Sequence, residues 1–295
     1  MKVKYVAPVL TALHNEREID AESCLRLYDH LINSGLDGIA VFGTSGEFPH
    51  IALPEKKKLI KAAAPVIKGR AEYVVGTGSM DVDETVELSN YAFDNGADTV
   101  IIVGPYYYGL SDDGVFEYFS RAADRIQGNI YLYNFPDRTS YSISARTILK
   151  LVQKHPNIIG VKDTVPDMAH TVEIIKTLKP EFPDFQVFCA YDNNFAYTVL
   201  SGGNGCVGIL PNIAPKLFAG WAEAIRAKDL DAVALIQKKV DKLMDILWFH
   251  SPFIATCKAV LVEQGIFADG AMTFPFEAYP QAKIEALKSF MKEFE

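Results

Sequence analysis

Lys162 ends the apolar run Ile158-Ile159-Gly160-Val161, which reads as the inside of a parallel sheet, and lysine is rarely carried into such a place without a reason. Burial disfavours an ammonium ion. The neutral amine attacks a ketone, and the iminium that forms drains electron density from the adjacent carbons. That is the chemistry of a class I aldolase. The same segment also fits a strand-end lysine whose amine reaches water along its apolar stem. Tyr133 ends the preceding strand candidate in Tyr131-Leu132-Tyr133-Asn134-Phe135-Pro136. Its phenol could face Lys162 and carry a proton, or simply bond a carbonyl in the core.

Gly43-Thr44-Ser45-Gly46 joins glycines to hydroxyls at the end of another strand candidate. Such a segment suits the capture of a substrate carboxylate by backbone N–H groups and side chains, although the same residue types make ordinary turns. A phosphate loop is disfavoured, because neither G-x-x-x-x-G-K-[ST] nor G-x-G-x-x-G occurs. The histidines (His14, His30, His50, His155, His170, His250) lack metal-ligand spacing and no acidic cluster suggests a divalent ion, so a metal-dependent aldolase is not expected. The chemistry needs no other cofactor. Asp163 and Asp192 read as loop or supporting groups rather than general bases, and Tyr106-Tyr107-Tyr108 could be an aromatic plug.

These residues need strands and helices to position them. Strand patterns fall at Val6–Leu10, Gly38–Phe42, Tyr73–Gly76, Thr99–Val103, Ile130–Tyr133, Ile158–Lys162, Gln186–Cys189 and Cys206–Ile209. Helical patterns lie between them at Ala21–Ser34, Pro54–Lys68, Val82–Asn95, Gly114–Gln127, Ser144–Lys154 and Met168–Leu178. Gly35, Gly69, Gly96 and Gly128 follow helices at positions where a positive φ is expected. Alternating strand and helix is the order of parallel βαβ units. The unusual polar residues gather where strands end, as they do in a (β/α)₈ barrel, so that fold is expected over residues 1–213. Pro215–Ala227, Leu230–Leu247, Pro252–Gln264 and Tyr279–Phe294 then read as helices, giving a helical extension over 214–295 packed on the barrel.

Composition agrees with this reading. A chain of 295 residues, 49% hydrophobic and 22% charged, can bury a full-sized core. Its net charge of -8, without long runs of either sign, argues against nucleic-acid and anionic-membrane partners. Cys24, Cys189, Cys206 and Cys257 form no C-x-x-C pair and suit reduced thiols. No stretch reaches the roughly 20 apolar residues of a membrane span, and the N-terminus has no signal-peptide pattern, so a cytoplasmic location is expected.

The chain resembles the dihydrodipicolinate synthase and N-acetylneuraminate lyase family from about Val6 to at least Gly265. The resemblance is carried by G-T-S-G-E at 43–47, G-P-Y-Y at 104–107, Y-N-F-P at 133–136 and G-V-K-D-T at 160–164, in that order. It implies a (β/α)₈ barrel with C-terminal helices, a homotetramer, and a lysine that condenses with pyruvate. By motif position it makes Lys162 the Schiff-base residue and Tyr133 the acid/base. Thr44 and Ser45 become the carboxylate clamp, and Tyr107 becomes a tyrosine that completes a proton relay in a neighbouring subunit. Gly43, Thr44, Ser45, Arg138 and Ile209 would line the substrate. Ser45 is a mild departure, since the family often has threonine there.

Within the family, Lys162-Asp163-Thr164, His170-Thr171, Asn134-Phe135-Pro136 and Ala190-Tyr191-Asp192 resemble the 2-keto-3-deoxy-sugar-acid aldolases. The expected substrates are therefore a 2-keto-3-deoxy acid, or pyruvate and an aldehyde in reverse. Arg138 instead resembles the arginine with which the synthase holds aspartate semialdehyde, and leaves that activity as the alternative. The sialic-acid lyase is third. A barrel that only binds a small acid and regulates something is the non-enzymatic reading.

Overall fold

A computed structural model describes residues 3–294. Eight strands run β1 (Lys4–Pro8), β2 (Gly38–Val41), β3 (Glu72–Gly76), β4 (Thr99–Val103), β5 (Asn129–Asn134), β6 (Ile158–Asp163), β7 (Gln186–Cys189) and β8 (Gly205–Val207). They are ordered as in the chain and form a closed parallel barrel, the expected fold class. Strands covered on both faces are apolar throughout rather than alternating, and β4, Thr-Val-Ile-Ile-Val, is buried at every position.

The intervening helices are α1 (Ala21–Asn33), α2 (Leu53–Ile67), α3 (Val82–Asp94), α4 (Asp112–Ala123), α5 (Pro136–Thr139), α6 (Ala145–Lys154), α7 (Met168–Leu178) and α8 (Phe195–Leu200). After β8 come α9 (Pro215–Ala227), α10 (Leu230–Leu243), α11 (Phe253–Glu263) and α12 (Ile284–Met291). Many begin where a short polar side chain can accept a free backbone N–H. Asp20 accepts from Ser23, Asp81 from Asp83, Ser111 from Gly114, Ser144 from Thr147 and Asp167 from Ala169. Each such cap contributes about 1 kcal/mol. Among the described residues no single helix is long and apolar enough to cross a membrane.

Several details depart from the sequence expectations. The helix α8 was not expected: Phe-Ala-Tyr-Thr-Val-Leu is too short to show a helical period and is rich in strand formers. The last strand stops at Val207 rather than Ile209. Past it, the Asn212 amide donates to the carbonyls of Ile209 (2.8 Å) and Pro8 (3.1 Å), which draws the chain into a tight turn. Gly35, Gly69 and Gly96 do have positive φ, but Gly128 does not. A Cβ on Gly128 would stand 2.4 Å from the Phe93 ring, so close packing is what requires glycine there.

The chain forms two compact units, one built chiefly of Tyr73–Val207 and the other of Tyr5–Glu72 with Gly208–Glu295. In the first, Tyr133 pairs with Lys162 only because the β5–β6 register shifts between Ile130 and Tyr131. Ile130 is opposite Ile158 but Tyr131 is opposite Gly160, so Ile159 is an extra residue in β6. Gly160 then meets the Tyr131 ring, where a Cβ would lie 2.8 Å from the ring and 2.6 Å from the Gln186 carbonyl oxygen. In the second unit, Tyr5 packs on Phe218 at 5.1 Å between ring centroids, and Arg226 pairs with Asp37. Asp37 also accepts from the Tyr5 backbone N–H at 2.8 Å.

Gly160→Ala should lower stability by about 1–3 kcal/mol, the usual result of forcing atoms into a filled core. Gly220, inside α9 with open space where a Cβ would go, is the control. Gly220→Ala should raise stability by about 0.4–1 kcal/mol. Urea midpoints of the two variants check both signs.

Candidate active site

In the unit Tyr73–Val207 the shifted register sets Tyr133 directly opposite Lys162 on neighbouring parallel strands, and their side chains therefore leave the sheet on the same side. The Lys162 Nζ lies 4.2 Å from the centroid of the Tyr133 ring. Lys162 is 6% exposed and Tyr133 4%. An amine and a phenol are thus held together out of bulk water, as nucleophilic attack on a carbonyl and a following proton transfer require. The Phe135 ring stacks on Tyr133 at 5.9 Å between ring centroids.

The next residues, Asn134 and Asp163, are also paired, and by alternation they project to the opposite face. Asp163 is completely buried and its carboxylate is fully engaged. It accepts from Asn134 Nδ2 at 2.7 Å and Thr171 Oγ1 at 2.6 Å, with His170 Nδ1 at 3.0 Å. Asn134 Oδ1 in turn accepts from the Ile143 backbone N–H at 2.8 Å. The hydrogen bond to Asp163 holds the His170 imidazole above its ordinary pKa, against the opposing effect of burial. Asp163 is therefore the supporting group anticipated from the sequence. The residues that surround it, Asn134 and Thr171, had been noticed only as parts of motifs.

Tyr107 and Arg138 are both exposed. Tyr107 is 77% exposed with φ of 83°, and its ring meets Tyr108 edge-on at 4.8 Å. Tyr107 and Tyr108 are exposed, so the tyrosine run is not an aromatic plug within this chain. Arg138, on α5, is exposed, with its guanidinium 5.8 Å from the Phe135 ring.

In the other unit, Thr44–Gly46 forms a single 3₁₀ turn after β2, closed by Gly46 N–H to the Gly43 carbonyl at 3.0 Å and Glu47 N–H to the Thr44 carbonyl at 3.1 Å. Ser45 is buried and Thr44 half-buried. Thr11 Oγ1 donates to the Gly46 carbonyl at 2.9 Å. Ile209 is buried just before the 3₁₀ turn Leu210–Asn212. Phe42 and Glu47, on either side of the Gly43–Gly46 stretch, both have positive φ, 57° and 55°. Glu47 is paired with Lys258 in the interior. Sequence reasoning noted Glu47 only as the last residue of the G-T-S-G-E motif and missed its pairing with Lys258, because 211 residues separate the two.

The sequence profile of the Dihydrodipicolinate synthetase family matches residues 2–294. Escherichia coli YjhH, named a probable 2-dehydro-3-deoxy-D-pentonate aldolase, is 33% identical over 253 residues, spanning 86% of this chain and 84% of the relative. A 4-hydroxy-tetrahydrodipicolinate synthase of Nitrosospira multiformis is 32% identical over 286 residues, spanning 97% and 93%. The crystal structure of E. coli YagE, a prophage protein of the dihydrodipicolinic acid synthase family in complex with pyruvate, matches with a TM-score of 0.95 at 29% identity, covering 99% of this chain and 98% of that one. Full-length agreement in both sequence and structure places this chain in the dihydrodipicolinate synthetase family, and with it among the lyases.

Proposed function

We propose that the protein is a Schiff-base aldolase that reversibly cleaves a 2-keto-3-deoxy sugar acid to pyruvate and an aldehyde. The observation that carries this reading is the buried amine of Lys162 lying 4.2 Å from the Tyr133 ring. The amine adds to the C2 carbonyl of the keto acid, and loss of water gives an iminium. In losing that water the carbinolamine takes the Tyr133 proton, and the phenolate left behind accepts the proton of the C4 hydroxyl as the C3–C4 bond breaks, so the aldehyde leaves and the bonding electrons pass into the iminium to make an enamine. Protonation of the enamine at C3 and hydrolysis release pyruvate and restore the lysine. In the synthetic direction the enamine attacks an aldehyde.

Thr44 and Ser45, with the Gly43 backbone, are assigned to the substrate carboxylate, and Ile209 to its surroundings. Tyr107 is assigned to a proton relay through Thr44 and Ser45 in a neighbouring subunit of a homotetramer. These roles rest on the motifs, and the exposure of Tyr107 suits a residue that serves a second chain. The choice of a sugar acid is supported by Asp163, His170 and Thr171. These residues resemble the sugar-acid aldolases in sequence and form one hydrogen-bonded group behind Lys162. YjhH and YagE, named as aldolases of this kind, are among the relatives. Arg138 and the similarity to the Nitrosospira synthase favour a second reading, condensation of pyruvate with aspartate semialdehyde. Pyruvate consumption with glycolaldehyde, glyceraldehyde and aspartate semialdehyde compares the two. Fastest turnover with the semialdehyde, lost in Arg138→Ala, would establish the synthase instead.

Borohydride reduction in the presence of pyruvate should attach one pyruvate to the wild-type chain at Lys162 and none to Lys162→Ala, as read by mass spectrometry. Tyr133→Phe should still form the adduct but turn over roughly 10²–10⁴-fold more slowly, the usual size of an acid/base contribution. His170 adds a pH dependence of stability. Its folded-state pKa is raised from 6.5, so its contribution is complete below that value and disappears as pH rises through the folded one. The difference in urea midpoint between wild type and His170→Gln should therefore shrink as pH is raised from about 6 to about 9. A difference that grows over that range would contradict the assigned partner.

A further inference from the structure

We propose that the buried Glu47–Lys258 ion pair is a positioning device that fixes the turn bearing Thr44 and Ser45 for binding of the substrate carboxylate. This inference rests on the role given to that turn under the proposed function. Lys258, in the middle of α11, is 0% exposed, and its Nζ contacts Glu47 Oε1 at 2.5 Å while donating to the Ala271 carbonyl at 2.7 Å. The second carboxylate oxygen, Oε2, accepts from the backbone N–H of Thr273 at 2.9 Å and from its hydroxyl at 2.7 Å. One side chain thus ties the residue after the turn to α11 and to the strap 271–273.

Stability does not explain the pair. Two charges removed from water recover little more than their desolvation cost, and apolar residues of similar size often serve a fold as well. The backbone makes the point more sharply. Glu47 has φ of 55°, in the left-handed region, where glycine would be unstrained. The chain places a glutamate there, so it is the side chain that the position needs. Glu47 N–H closes the turn onto the Thr44 carbonyl, and the preceding Gly46 carbonyl is held by Thr11. A shift of Glu47 therefore moves Thr44 and Ser45 directly. Burial pulls the Lys258 amine pKa down, and the Glu47 carboxylate is the chief group opposing that, with Asp269 contributing. Cys24, also close, does not compete as an anion, because burial pushes its thiol up to about 12.

The test uses Lys258→Met, Glu47→Gln and the double variant Glu47→Gln/Lys258→Met, which removes both charges and guards against a single variant that fails to fold. Half-saturation by pyruvate is read from borohydride trapping on Lys162, and amide exchange at residues 43–47 is read without ligand. The double variant should fold, need roughly tenfold or more pyruvate for half-saturation, and exchange faster at 43–47, as loss of a charge-assisted anchor implies. The maximal extent of trapping should stay near that of wild type, since Lys162 is untouched. Wild-type half-saturation and unchanged exchange in the folded double variant would overturn the proposal and leave the pair a packing feature. If the wild-type protein itself traps no pyruvate, the proposed function fails instead. Exchange at 43–47 then decides this inference alone: faster exchange in the double variant supports it, and unchanged exchange overturns it.

Discussion

The chemistry proposed for the Tyr73–Val207 unit depends on a one-residue offset between two parallel strands. If the pairing of Ile130 with Ile158 continued without interruption, Tyr133 would face Val161, and Lys162 would emerge on the other side of the sheet. The extra residue Ile159 turns the lysine to the side of the tyrosine. Nothing flexible then has to bring the two together, because each sits on a strand held by ladder hydrogen bonds on both sides. Gly160 allows the offset, since any side chain there would collide with the Tyr131 ring.

Much of this architecture was legible in the chain, because parallel strands buried on both faces announce themselves as short β-branched runs and their helices as periodic ones. Lys162 stood out because a lysine at the end of such a run is chemically expensive, and Tyr133 because it closes the strand before it. The offset that brings them together was not legible. Ile158-Ile159-Gly160-Val161 looks the same with or without a bulge, since a register belongs to two segments and a sequence is read one segment at a time. The pairing of Glu47 with Lys258 was missed for the same reason, as they become neighbours only when α11 closes on the turn after β2. Gly128 was misread because its glycine answers to the Phe93 ring, a contact between distant segments, rather than to its own backbone angle.

Two buried lysines show how the surroundings decide what an amine can do. Lys258 meets a carboxylate and a backbone carbonyl, the setting of an amine that holds structure. Lys162 meets the face of a phenol, and among the described residues it has no carboxylate within ion-pair distance. The nearest acid in the chain is Asp163, the very next residue. Strand alternation sends its carboxylate to the other face, where Thr171, His170 and Asn134 occupy it.

That separation is as necessary as the offset. A carboxylate at hydrogen-bond distance stabilises the charged form of an amine and removes the lone pair that attacks a carbonyl carbon. Beside the lysine proposed to react, an acid is tolerable only if its carboxylate is held elsewhere, and Asn134, His170 and Thr171 hold that of Asp163. The same group ties the end of β5 to the end of β6 through Asn134 and Asp163, one residue past Tyr133 and Lys162. The hydrogen bonds that divert the charge are therefore also the ones that keep the amine and phenol in register. This explains why polar residues fill a position behind the sheet where apolar packing alone would have been simpler to build.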